Sequence, residues 1–343
     1  MILDKIFNLF RKQPVIELID GPVEIYNAEE EIKSLSLQDY LELMKPAFVP
    51  QQRKLKDQGL KRFAAYGIAL GDIAGSRYEG TSIDGKDPET IDMYSKFNKF
   101  TDDTVLAVAV MKATEELKIK ENITDIEAIN TYEKYLKEYT LLYPSAGYGS
   151  GYIYWAFDPK FPSEPYNSCG NGAAMRSGII GSMFDNVEDV IKYSYYSAMP
   201  THNHPEGIKG AIFIAVCVWM VSFGASKEDI RTYFNKHYPE NNGYKINCKT
   251  TIKDLKNMED TWAALSTICQ TSVPEAIINF LESTSFEDCI RNSMRYLCDR
   301  DTIAAISGGI AAIYYSPDIK VSGLCGSEMV KIYLDEKLLS DIG

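Results

Sequence analysis

An all-α fold is the architecture this sequence predicts, and three observations predict it. From Leu60 onward, apolar residues recur at helical spacing in ten segments. Extended alternating runs are scarce. Three stretches, 104–114, 210–224 and 302–315, are apolar on almost every face, the pattern of helices surrounded by other helices. With 24% charged and 45% hydrophobic residues, the composition is that of a folded globular chain, neither disordered nor a membrane bundle.

The elements follow in order. Val15-Ile-Glu-Leu-Ile-Asp-Gly-Pro-Val-Glu-Ile-Tyr alternates around Asp20-Gly21 and predicts a hairpin. Ser36 then caps a short helix in which Leu37, Tyr40, Leu41 and Met44 share a face and which Pro46 stops. Residues 51–59 are polar and Lys-rich, a connector. These pieces make residues 1–60 a small N-terminal extension and residues 61–343 one large domain. Its helices are expected at 61–74, 103–118, 125–142, 172–184, 187–197, 207–224, 227–236, 273–282, 286–297 and 302–315.

Charge and cysteine usage bound the partners. A net charge of -12 leaves no general electrostatic footprint for nucleic acid, so a phosphate-bearing ligand must be met locally. The longest uncharged run, 210–226, falls short of the roughly 20 apolar residues of a membrane span and predicts a core helix instead. Seven cysteines, with no Cys-x-x-Cys pair, predict reduced thiols. The first residues carry mixed charge and no small-residue cleavage site, so a signal peptide is not expected and the predicted location is cytoplasmic.

Four polar clusters interrupt the apolar pattern. Thr101-Asp102-Asp103-Thr104 opens one core helix, and Asp299-Arg300-Asp301-Thr302 opens another. Each cluster alone reads as helix capping. Together, at two helix mouths that converge, they form an oxygen-only pocket suited to a hard divalent cation. Small residues at Ala304, Ala305, Gly308, Gly309, Ala311 and Ala312, with Gly67, Gly71 and Gly75 on the first long helix, permit close approach. Glu79 sits just beyond that first helix. Asn167-Ser-Cys-Gly-Asn-Gly-Ala-Ala-Met-Arg176 is a glycine-flanked loop running into a helix, where backbone N–H groups can bind an anion. Upstream, residues 143–166 hold Tyr148, Tyr152, Tyr154 and Trp155, candidates for the core or for stacking on a base. In Thr201-His202-Asn203-His204, two histidines without a third nitrogen or sulfur ligand make a poor zinc site, and one of them reads as a hydrogen-bonding site residue.

Taken in order, Gly71-Asp72-x-x-Gly75-Ser76-x-Tyr78-Glu79, Phe100-Thr-Asp-Asp-Thr104, Ser168-x-Gly170-Asn171-Gly172-Ala-Ala-Met-Arg176, Thr201-His-x-His-Pro-Glu-Gly207, Gln270-x-Ser-Val-Pro-x-Ala276 and Asp299-x-Asp301-Thr302-Ile-Ala-Ala-Ile closely resemble the ADP-ribosylglycohydrolase family over residues 61–316. The resemblance implies an orthogonally packed all-α domain with two Mg²⁺ ions and ADP-ribose in the adjoining cleft. It carries Thr101, Asp102, Asp103, Asp299, Asp301 and Thr302 over as metal ligands, and Glu79, Asp102 and Asp103 as the catalytic carboxylates. Ser168, Cys169, Gly170, Asn171, Gly172 and His202 would bind the substrate. Arg176 belongs to the motif without an assigned contact. Two departures stand out: Arg300 lies between the carboxylates where the family has Ser or Thr, and Cys169 replaces an aromatic residue.

The implied reaction is Mg²⁺-dependent hydrolysis of the glycosidic bond between ADP-ribose and a modified side chain, arginine foremost, on an ADP-ribosylated protein partner. A second function remains open: an immunity protein that occludes an ADP-ribosyltransferase toxin through residues 1–60.

Overall fold

Gly71 and Gly75 explain how the fold is built. A Cβ at Gly71 would lie 2.1 Å from the Ala304 carbonyl oxygen, and one at Gly75 would lie 2.3 Å from the Asp301 nitrogen. Two helices therefore touch backbone to backbone along a bare stripe. They are α2 (Asp57–Ser76) and α13 (Arg300–Tyr314), and they run antiparallel because Gly67 meets Gly308 while Gly75 meets Asp301. The C-terminal end of α2 is thereby laid against the N-terminal end of α13.

The computed structural model describes residues 35–53, 57–79, 87–158, 164–240, 246–258, 267–316 and 319–343. Around the central pair lie α3 (Asp102–Lys118), α4 (Asp125–Leu142), α5 (Ser150–Phe157), α6 (Gly172–Gly181), α7 (Val187–Ala198), α8 (Pro205–Ser222), α9 (Lys227–His237), α10 (Ile252–Lys256), α11 (Cys269–Glu282) and α12 (Phe286–Asn292). A two-stranded hairpin, β1 (Lys320–Val321) and β2 (Leu324–Cys325), precedes α14 (Gly326–Tyr333) and α15 (Glu336–Ile342). Before all of these, α1 (Leu37–Leu43) carries the predicted Ser36 cap, completed by Asp39 as a capping box.

The all-α expectation holds. Each stretch predicted to be apolar all round is a buried helix: α3 from Asp103 through Val110, α8 from Gly210 through Ser222, and α13 from Arg300 through Ile313. Helix α8 is long and apolar enough to cross a membrane by length and composition, but 83% of it is buried against the other helices, so it forms core. All seven cysteines are free thiols.

Helix α6 ends at Gly181 and not at 184, α12 ends at Asn292 and not at 297, and α5, α10, α14 and α15 fall outside the ten predicted segments. Three further differences have a visible cause. Helix α2 starts at Asp57, inside the predicted connector, because its polar first turn carries no hydrophobic period for a sequence reading to detect. Helix α11 starts at Cys269 rather than 273 and continues through Pro274, which removes one internal hydrogen bond without ending the helix. The small β1–β2 hairpin was not expected; Ser322 and Gly323 both adopt positive φ, as its two-residue turn requires. The hairpin expected around Asp20 lies outside the described residues.

Helix α1 is docked on the main body. Tyr40 is buried and its hydroxyl donates to the Pro205 carbonyl at 3.2 Å, while the Tyr233 hydroxyl donates to the Met44 carbonyl at 2.8 Å.

Candidate active site

Asp72, on α2, is fully buried and organises the start of α3. Its carboxylate accepts from the Thr101 amide at 2.8 Å, the Thr101 hydroxyl at 2.7 Å, the Thr104 amide at 3.1 Å and the Thr104 hydroxyl. Helix α3 is thus capped by a carboxylate from another helix, and neither Asp102 nor Asp103 is spent on capping. Asp299, at the start of α13, likewise makes no side-chain cap hydrogen bond. Capping therefore does not account for these carboxylates.

The two mouths converge. Asp72, Asp103 and Asp301 present carboxylate oxygens within 4.8 Å of one another, and so do Glu79, Asp299 and Asp301, which makes Asp301 common to both groups. The Thr302 hydroxyl donates to Asp103 Oδ2 at 3.3 Å across the α3–α13 junction. Asp103 Oδ1 is buried with no hydrogen-bond partner. An unpartnered buried carboxylate oxygen in an all-oxygen donor set fits a hard divalent cation, because such an atom is otherwise costly to bury.

Electrostatics follow from this crowding. Burial first, and the neighbouring carboxylates second, push Asp102, Asp103 and Asp301 well above the usual carboxylate range. Glu79 moves the same way through burial and the charge of Asp299. Asp72 rises to about 6 through burial, which the Thr101 and Thr104 hydrogen bonds partly offset.

All of these carboxylates except Asp72 line one cavity of about 370 Å³. Its walls hold Glu79, Asp102, Asp103, Asp299, Asp301 and Thr302, together with Ser168, Gly170, Asn171, Gly172 and His202. Two expected site residues stand outside the wall. The Thr101 hydroxyl turns to Asp72 behind the cluster, and Cys169 is half-buried, its carbonyl accepting from the Cys269 amide at 2.9 Å. The loop is pinned by that bond and by the Asn171 amide on the Thr267 carbonyl at 2.8 Å. No side chain caps α6, so the start of that helix stays available to an anion.

Several residues of the site escape a reading of the sequence. Asp72 falls within a matching motif but carries no predicted role, although its partner hydroxyls at Thr101 and Thr104 are visible there. Tyr166, Thr267 and Arg176 also line the cavity. Of the aromatic group, Tyr152 lines it, Tyr148 and Trp155 are core, and Tyr154 is exposed. Arg300 does not enter the carboxylate cluster. Its guanidinium donates to the Tyr78 carbonyl at 2.9 Å and the Tyr296 carbonyl at 3.1 Å, so it anchors the turn that carries Glu79.

Comparison with known proteins matches the ADP-ribosylglycohydrolase family model to residues 59–318. The chain belongs to the ADP-ribosylglycohydrolase family. Curated relatives include ADP-ribosylhydrolase ARH3 of Bos taurus, 25% identical and covering 73% of this chain and 83% of the relative. The Homo sapiens protein of the same name is 26% identical, covering 74% of this chain and 84% of its own length. A solved structure described as an ADP-ribosylglycohydrolase-related protein complex matches with a TM-score of 0.55 at 19% identity, over 84% of this chain and 98% of that one, and shares the fold. Family membership supports hydrolysis of an ADP-ribosyl glycosidic bond.

Proposed function

We propose that this chain releases ADP-ribose from a modified protein side chain, with two Mg²⁺ ions bound by the carboxylates at the α3 and α13 mouths. One observation carries the reading: Asp103 and Asp301 of one acidic group, and Glu79, Asp299 and Asp301 of the other, line the same cavity as the glycine-flanked loop at the start of α6. Asp102, Asp103, Asp299, Asp301 and Thr302 would hold the metals from the cavity wall, with Thr101 behind them. When bound, the ions would supply positive charge at the ribose hydroxyls and lower the pKa of a coordinated water.

The chain's own residues supply the rest. The loop from Ser168 to Gly172 and the open N-terminus of α6 receive the diphosphate and ribose, and His202 contacts the same ligand. Carboxylates surround the ribose carbon, where positive charge develops as the glycosidic bond lengthens. Glu79 and Asp102 have raised proton affinity, the direction a general base needs in order to take a proton from attacking water.

The side chain released is the finer question. Arginine is the linkage expected from the motif resemblance; the relatives named above are ADP-ribosylhydrolase ARH3 and do not single it out. Both N-linked and O-linked ADP-ribosylated proteins are therefore the substrates to assay. The division near residue 60 belongs to the same proposal, with residues 1–60 as an extension. No observation favours the toxin-occluding reading of that extension, and its described part is packed on the main body.

The test is release of ADP-ribose from each substrate with Mg²⁺, comparing wild type with the double variant Asp102→Ala/Asp103→Ala. Turnover of either linkage that the variant loses supports the hydrolase. A folded wild type that turns over neither linkage overturns it.

A further inference from the structure

A single hydroxyl joins the two buried basic side chains of the cavity wall. Thr201 Oγ1 accepts from Arg176 Nη2 at 2.9 Å and lies 2.6 Å from His202 Nδ1. All three residues are at most 3% exposed. A guanidinium has no lone pair to offer, so the Thr201 proton cannot go to Arg176. The acceptor available to it among the described residues is His202 Nδ1. If Nδ1 accepts, the ring proton sits on Nε2.

That nitrogen faces the ligand loop. A Cβ on Gly172 would meet His202 Nε2 at 3.3 Å, and one on Gly170 would meet it at 3.6 Å. Nε2 has no hydrogen-bond partner among the described residues, and His202 lines the cavity beside the start of α6. Arg176 works at one remove. Its Nη2 also donates to the Ser197 carbonyl at 2.9 Å, while its Nε and Nη1 are buried without a partner.

We propose that Thr201, oriented by Arg176, is a positioning residue that holds His202 as the Nε2–H tautomer, with that N–H aimed into the cavity as a donor to a phosphate oxygen of the ligand. Burial and the adjacent Arg176 charge keep the imidazole neutral, so it acts as a fixed donor and not as a titrating cation. The role of the relay in binding rests on the reading of this cavity as the ADP-ribose site. The tautomer itself does not.

The experiment uses the full chain labelled with ¹⁵N-histidine. Long-range ¹H–¹⁵N correlation spectra, recorded without ligand, assign the tautomer of His202, with His202→Gln identifying its signals among the three histidines. Wild type is expected to show the Nε2–H pattern, Thr201→Val a mixture of tautomers, and Thr201→Ser the wild-type pattern again. Calorimetry with ADP-ribose is expected to show about tenfold weaker binding for Thr201→Val and recovery in Thr201→Ser, the loss being close to that of one hydrogen bond to a charged group. In the hydrolysis assay that loss appears in KM, with kcat retained. An Nδ1–H pattern in wild type overturns the proposal, and so does an unchanged tautomer in Thr201→Val. The wild-type spectrum decides the tautomer even if the valine variant does not fold. Wild type that shows the Nε2–H pattern yet does not bind ADP-ribose overturns the cavity reading and the phosphate-donor role, and leaves the tautomer assignment standing.

Discussion

The Asn171 side-chain amide donates to Asp299 Oδ2 at 2.8 Å, tying the ligand loop directly to the acidic cluster. The same amide reaches Ser272 on α11, so Asn171 has little freedom to move. Ligand occupancy and carboxylate position are thereby coupled through one side chain. Asn171→Ala is expected to weaken both Mg²⁺ and ADP-ribose binding, each by roughly the 1.5–3 kcal/mol of a hydrogen bond to a charged group. Titration of each ligand in the presence and absence of the other checks this. Loss of one affinity with the other intact would show that the two halves of the site are independent.

Asp72 supports α3 as well as the acidic cluster. Replacing it with Asn keeps one acceptor oxygen and sets an NH₂ group against the donors of the other, three at Oδ2 or the Thr101 hydroxyl at Oδ1. Asp72→Asn is expected to cost about 2–3 kcal/mol in urea unfolding, the penalty of breaking buried hydrogen bonds to a charge. Mg²⁺ affinity should fall with it, because Asp103 loses the frame that aims it.

The carboxylate cluster gives the metal-free protein an unusual pH dependence. A carboxyl whose pKa is raised on folding contributes stability below its unfolded pKa, and that contribution is lost as pH rises through the folded value. Asp72 passes through this window between 3.8 and about 6. Burial and the neighbouring carboxylates raise Asp102, Asp103 and Asp301 in the same direction, so they add to the effect. His202 and His237 have lowered pKa values, so their contribution has the opposite sign and is already complete above pH 6.5. In EDTA, Tm should therefore fall as pH rises once the histidine contribution is complete, and Mg²⁺ should restore it. A flat profile in EDTA would show that these carboxyls hold no extra protons in the folded state.

Close packing of α2 on α13 leaves no room for a methyl group. Gly71→Ala is expected to lose about 3 kcal/mol, at the upper end for overpacking, since its Cβ would meet backbone and not a flexible side chain. Chemical denaturation measures the loss, and an unchanged midpoint would contradict the contact.

Arg300 separates positioning of Glu79 from metal binding. Arg300→Ala frees the Tyr78 carbonyl next to Glu79 and leaves all cluster carboxylates in place. Its kcat should fall while the concentration of Mg²⁺ needed for half-maximal activity stays close to wild type. Activity without any divalent ion, in wild type or variant, would remove the metal from the reading.

What was legible in the sequence followed the strength of local periodicity. Helices α3, α8 and α13 were readable because they are apolar all round, and the meeting of α2 with α13 was foreshadowed by small residues on both. The direction of Arg300 was not readable, since a residue between two carboxylates can turn toward them or away, and the Tyr78 and Tyr296 carbonyls that receive it are not encoded in the pattern of the motif. Asp72 was hidden for a related reason: it caps a helix some thirty residues along the chain, a relationship local pattern does not encode.

The docking of α1 changes where the chain can be cut. Tyr40 hangs from the first residue of α8, three positions after His202, and Met44 accepts from α9. Removal of residues 1–60 would therefore also take away the first turn of α2 and uncover the foot of the helix that follows His202. A deletion ending at residue 34 keeps Ser36, Tyr40 and Met44 in place. In that form the contacts of α1 with α8 and α9 are kept, so a change of activity does not come from their loss.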